Sequence, residues 1–170
     1  MVLRNKSLSA WLIAGLFAVA PQAAARESID SAAAFARLKA LAGTWEATDK
    51  ATGRTSTFTY EMTGRGTTLI ESAGGMMTAY HLDKGTLVLT HFCGAGNQPR
   101  MRIKSVADAG RRISFEMYDI TNLATPESYY SSSLDVVFLG DDRVELAYGG
   151  TTGSRKSTQT FLLTRKSSSR

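Results

Sequence analysis

Leu41-Ala42-Gly43-Thr44-Trp45 decides the fold, because the spacing of apolar residues changes across it. Upstream, Phe35, Leu38 and Leu41 recur at intervals of three with Arg37 and Lys39 between them. That spacing predicts one helix of about three turns over residues 31–42, stopped by Gly43. Asp30 or Ser31 would cap its start. Downstream the period becomes two. Phe58, Tyr60 and Met62 alternate with Thr57, Thr59 and Glu61, and Ile113, Phe115 and Met117 alternate with Ser114, Glu116 and Tyr118.

Strands are expected over 44–50, 55–63, 67–73, 76–82, 86–93, 99–105, 112–118, 131–139, 143–149 and 156–165. Turn signals separate nearly all of them: Thr52-Gly53, Gly64-Arg65-Gly66, Gly74-Gly75, Asp83-Lys84-Gly85, Ala109-Gly110, Gly140-Asp141-Asp142 and Gly149-Gly150. Short connections make consecutive strands antiparallel neighbours, and an open sheet of about ten would leave two long edges unpaired. The fold class expected is therefore all-β: an antiparallel up-and-down barrel of about ten strands with one short N-terminal helix. Two connections are longer, residues 94–98 and 119–130, and binding residues on such a scaffold usually sit on segments of this kind.

Residues 1–25 have a basic start (Arg4, Lys6), an apolar stretch from Ala10 to Ala20 and a small-residue end at Ala23-Ala24-Ala25. This is the layout of a secretory signal peptide cut after Ala25, and it places the protein in the periplasm or outside the cell. The organisation expected is a signal peptide over 1–25, one barrel domain over 26–166 and a disordered tail over 167–170. The apolar stretch is short for a membrane span. Taking Arg4 and Lys6 from the chain's 20 basic residues leaves 18 against 15 acidic, a balance of +3. So small an excess does not support nucleic-acid binding. The single cysteine, Cys93, cannot form an internal disulfide and is expected to be buried as a small hydrophobe.

The chemistry-bearing residues are few. His81 and His91 are the only histidines. A three-residue hairpin loop at Asp83-Lys84-Gly85 would pair Leu82 with Thr86 and Met77 with His91, leaving the two histidines about 13 Å apart on one face. A two-residue loop at Lys84-Gly85 would set them on opposite faces. Neither brings both to one ion, and no metal site or cofactor is expected. His91 stands out as the functional side chain, with Tyr80, Asn97 or Gln98 as hydrogen-bond partners; the alternative is a rim histidine that pins the adjacent loop. Asn97-Gln98-Pro99-Arg100 reads either as a polar contact set or as a structural turn. Arg100, Arg102 and Lys104 belong to a solvated outer face. No Ser lies in a nucleophile turn, and Glu61, Glu71 and Glu116 read as outward-facing carboxylates.

Gly43-Thr44-Trp45, a Gly-x-Trp on the first strand straight after a short helix, resembles the lipocalin and calycin group. The resemblance implies that the Trp lies at the closed end of the barrel, covered by an Arg of the last strand. Arg165 occupies the corresponding place, so it is expected to stack on Trp45. Tyr80-His81-Leu82-Asp83, Leu89-Thr90-His91-Phe92-Cys93 and Gly96-Asn97-Gln98-Pro99-Arg100-Met101 resemble a set of uncharacterised bacterial exported lipocalin-like proteins over most of the chain after residue 25. The related nitrobindin-like barrels ligate haem through a His near their C-terminus; no His follows His91 here, so no haem ligand carries over.

The function expected is an exported module holding a small, mostly apolar or amphipathic ligand inside the barrel. The wall would come from Phe58, Tyr60, Met62, Met77, Leu89, Phe115 and Met117, with His91, Tyr80, Asn97 and Gln98 orienting a polar end. The alternatives are an enzyme using His91 as general acid or base in the same pocket, and a structural envelope protein with a filled barrel.

Overall fold

Among the described residues, one α-helix precedes ten antiparallel strands that close on themselves. The computed structural model describes residues 30–167, and the expected signal peptide and residues 168–170 of the expected tail lie outside them. The helix is α1 (Ser31–Lys39). The strands are β1 (Gly43–Asp49), β2 (Thr55–Thr63), β3 (Thr68–Ala73), β4 (Met76–Asp83), β5 (Thr86–Phe92), β6 (Gln98–Ala107), β7 (Arg112–Thr121), β8 (Tyr130–Phe138), β9 (Arg143–Thr152) and β10 (Arg155–Arg165). Every strand pairs with its neighbours in sequence, and β1 pairs with β10 from Trp45↔Arg165 to Asp49↔Phe161. Closure leaves no free sheet edge.

The helix plugs one end. Asp30 caps it by accepting a hydrogen bond from the Ala33 amide at 2.9 Å. It ends at Lys39 rather than at Ala42, because residues 40–42 tighten into i→i−3 turns: the Ala40, Leu41 and Ala42 amides donate to Arg37, Leu38 and Lys39. Phe35, Leu38 and Leu41 are buried over Trp45, whose indole Nε1 donates to the Leu41 carbonyl at 2.7 Å.

Arg165 locks this plug, as the resemblance implied. Its guanidinium lies 4.1 Å from the Trp45 ring centroid. It also donates to the carbonyls of Ala40 and Ala42 at 2.7 and 2.9 Å and, through Nε, to Asp142 at 3.0 Å. Gly43 is required beside it: its φ is +127°, and a Cβ there would meet the guanidinium at 3.1 Å. Arg165→Ala removes a cation–π contact and two bonds to helix-end carbonyls, and is expected to cost about 1–3 kcal/mol. Arg165→Lys should recover only part of that, because an ammonium lacks the fork. Urea titration followed by Trp45 fluorescence checks both.

The second of the two hairpin registers weighed is the one formed, and the readings of Met77, Gly149-Gly150 and Glu71 are corrected. The β4–β5 hairpin uses the two-residue loop, with Lys84 at φ 47° and Gly85 at φ 81°, so Asp83 pairs with Thr86 and Thr78 with His91. His91 therefore faces inward and His81 outward, while Met76 rather than Met77 takes the inner position. Gly149-Gly150 is not a turn: both residues lie within β9, opposite Ser133 and Ser131, and the chain reverses between Thr152 and Arg155. Gly150 is there for space, since a Cβ would approach the Tyr129 ring to 2.6 Å. Glu71 does not face outward but is buried inside the barrel, 3% exposed. The basic stripe is solvated, with Arg100 paired to Asp119 and Arg102 and Lys104 to Glu116 on exposed side chains.

The interior has two halves. Next to α1, Trp45, Leu69, Leu87, Ile113, Leu134, Val144 and Leu163 fill it with apolar side chains. Beyond a polar layer at Glu71, the opposite half contains a cavity.

Candidate functional site

The polar layer is built on one carboxyl group. Glu71 shares its inward parity with Leu69 on β3, and Tyr60 is its direct partner across β2. Tyr60 and Tyr80 donate to Oε2 at 2.9 and 2.8 Å, and Tyr148 donates to Oε1 at 2.6 Å. Thr78 lies 3.4 Å from Oε1 and 2.9 Å from His91 Nδ1, joining the imidazole to the carboxyl. Convergent hydroxyl donors favour the ionised carboxylate, while burial disfavours it. Burial is the larger influence, and it holds the Glu71 carboxyl above its ordinary range. Burial and the nearby carboxylate push all three phenols well up, so they remain donors. Burial also lowers the His91 imidazole, which keeps it neutral at physiological pH.

Above this layer lies a cavity of about 440 Å³, within the range of small-molecule sites. Its floor is Glu71, His91 and Tyr148, and its wall includes Phe58, Met76 and Phe161. The rings interlock: Phe58 and Phe161 lie 5.4 Å apart, Phe161 and Tyr148 6.3 Å, and Tyr148 and His91 6.2 Å. His91 Nδ1 is engaged by Thr78, and the buried side-chain polar atom left without a partner among the described residues is Asn97 Oδ1.

Both long connections reach the rim. Gly94, Ala95 and Tyr129 line it, and the two segments are tied by Asn97 Nδ2 donating to the Tyr129 carbonyl at 2.7 Å and Asn122 Nδ2 to that of Gly96 at 2.6 Å. Cys93 is half-buried at this rim rather than in the core.

Of the eleven residues expected around the ligand, Phe58 and His91 line the cavity directly, whereas Leu89 is buried in the core and Met62 packs against it. Tyr60 and Tyr80 act beneath it, through Glu71. Phe115 packs edge-on against Tyr80 in the filled half, with ring centroids 6.1 Å apart, and Met117 is partly buried against the same core. Asn97 braces the Tyr129 backbone. Gln98 donates to the Gly96 carbonyl and accepts from Thr121. Sequence reasoning missed Glu71, Thr78, Tyr148 and Phe161. The parity of Glu71 with Leu69 was the available signal for the first; for Tyr148 it was the parity with Val144 and Leu146 inside the expected strand 143–149.

Fold and site together define an up-and-down antiparallel β-barrel with an internal cavity floored by a carboxyl and an imidazole. Among known protein families and curated proteins, none matches this chain.

Proposed function

We propose that this is an exported, small-molecule-binding barrel of lipocalin-like kind, working in the periplasm or outside the cell. The observation that carries the reading is the cavity: about 440 Å³, with Phe58, Met76 and Phe161 in its wall and Glu71, His91 and Tyr148 converging on its floor. Such a site holds an apolar body by burial and orients it by one polar end. A structural protein with a filled interior has no use for the Glu71 layer, which introduces a buried carboxyl where leucines would pack. The enzyme alternative draws on one feature, a cavity-lining His91 whose Nδ1 is held by Thr78. His91→Ala separates the two, because a carrier loses affinity modestly whereas general acid–base catalysis loses about 10²–10⁴-fold in turnover.

The neutral fluorescent probe N-phenylnaphthylamine tests the cavity itself. It is expected to bind saturably at one site in the native protein and to lose that site in Ala73→Trp, which places an indole in the cavity wall. Absence of saturable binding, or binding unchanged by Ala73→Trp, contradicts the proposal. Cell fractionation with intact-mass analysis tests export: the chain should be found outside the cytoplasm without residues 1–25.

A further inference from the structure

The cavity offers a carboxyl group and an imidazole but no basic side chain. None of its lining residues is Lys or Arg, and the donors on Glu71 are all neutral hydroxyls. Thr78 has one hydroxyl proton and two acceptors, His91 Nδ1 at 2.9 Å and Glu71 Oε1 at 3.4 Å. Donated to His91, that proton leaves the fourth acceptor position of the carboxylate open. Donated to Glu71, it requires the imidazole proton on Nδ1, which leaves the Nε2 lone pair open instead. With Glu71 ionised, as it would be opposite a bound cation, one acceptor on the floor is unmet in both arrangements.

A ligand donor would meet it, and the rest of the cavity selects which donor. The rings of Phe58, Phe161 and Tyr148 line the same cavity as Glu71, and aromatic rings attract cations. An anionic ligand would meet Glu71 at close range in a low-dielectric site with no compensating base. We infer that the cavity takes an organic ammonium ion with an apolar body, its nitrogen toward Glu71 and His91 and its body along Phe58, Met76 and Phe161. The inference rests on the carrier reading and narrows it to one charge class.

The groups facing Glu71 are Tyr60 from β2, Thr78 and Tyr80 from β4, His91 from β5 and Tyr148 from β9. The Cys93 thiol stands at the rim. Acidification protonates Glu71 and charges His91, and both changes oppose a bound cation. The affinity for an ammonium ion therefore falls as pH falls, while that for a neutral isostere does not.

Calorimetric titration of the native protein with naphthylethylammonium, naphthylethanol and naphthylacetate tests this. The ammonium ion is expected to bind about tenfold or more tighter than the alcohol, with the acetate weakest. In Glu71→Gln that advantage should shrink to about threefold or less. Where Glu71→Gln does not fold, the native protein decides the matter, through the ratio of ammonium to alcohol affinity between about pH 8 and pH 5, a window in which an alkylamine stays charged. The ratio should fall towards acid, and a constant ratio overturns the inference. Equal binding of alcohol and ammonium ion, or tightest binding of the acetate, overturns the ammonium assignment and leaves the carrier reading standing. Failure of all three to bind overturns both.

Discussion

Trp45→Ala is expected to destabilise the barrel by about 3–5 kcal/mol, enough to unfold a domain of ordinary stability. Trp45 is fully buried, its indole nitrogen holds the Leu41 carbonyl, and Arg165 covers its outer face. Truncation leaves a void under α1, strands the guanidinium without its ring and frees a carbonyl at the point where the helix becomes sheet. Trp45→Phe restores much of the volume but no donor, so about 1–3 kcal/mol should still be lost. Thermal unfolding followed by circular dichroism measures both; a loss below about 1 kcal/mol for the alanine variant would show that the plug does not hold the barrel.

Glu71→Leu is the second large effect. It leaves the hydroxyls of Tyr60 and Tyr80, in side chains that are 2% and 1% exposed, without their acceptor. Each stranded donor costs about 1–3 kcal/mol, whereas removal of a buried carboxyl returns part of that, so a net loss of about 2–4 kcal/mol is expected. The pH profile separates this site from ordinary packing. The Glu71 carboxyl is raised above its ordinary 4.5, so its contribution to stability is complete below that pH and is lost as pH rises through the folded-state value. The His91 imidazole is lowered from 6.5, so its contribution is complete above that pH and is lost as pH falls through the folded-state value. Glu71→Gln should therefore flatten the decline on the alkaline side and His91→Gln the decline on the acid side. Denaturant midpoints across the range check the signs, and profiles parallel to the native one in both variants would rule the linkage out.

Period was the legible part of this chain. The switch at Leu41–Trp45 from intervals of three to alternation locates α1 and the start of β1, and the turn residues locate most strand ends within a few positions. Trp45 and Arg165 were brought together by resemblance, and the geometry agrees. Turn chemistry misled where glycine serves closeness instead of reversal: Gly149 and Gly150 bring β9 close to Ser133 and Tyr129. Site chemistry was less legible because it depends on parity across several strands. Glu71 reads as a surface carboxylate beside Ile70 and Ser72, and only its alignment with Leu69, Tyr60 and Tyr80 turns it inward. The hairpin at Lys84-Gly85 shows how much rests on one residue. Its two-residue loop sets Thr78, not Met77, opposite His91, and so supplies the hydroxyl that links the imidazole to the carboxyl.

The most direct test of the carrier reading is native mass spectrometry of the protein purified gently from its own host, with extraction and identification of any small molecule that accompanies it. One stoichiometric molecule with an apolar body is expected, present in the native protein and absent from Ala73→Trp. An unliganded mass across growth conditions, or a bound molecule that Ala73→Trp retains, would contradict that reading.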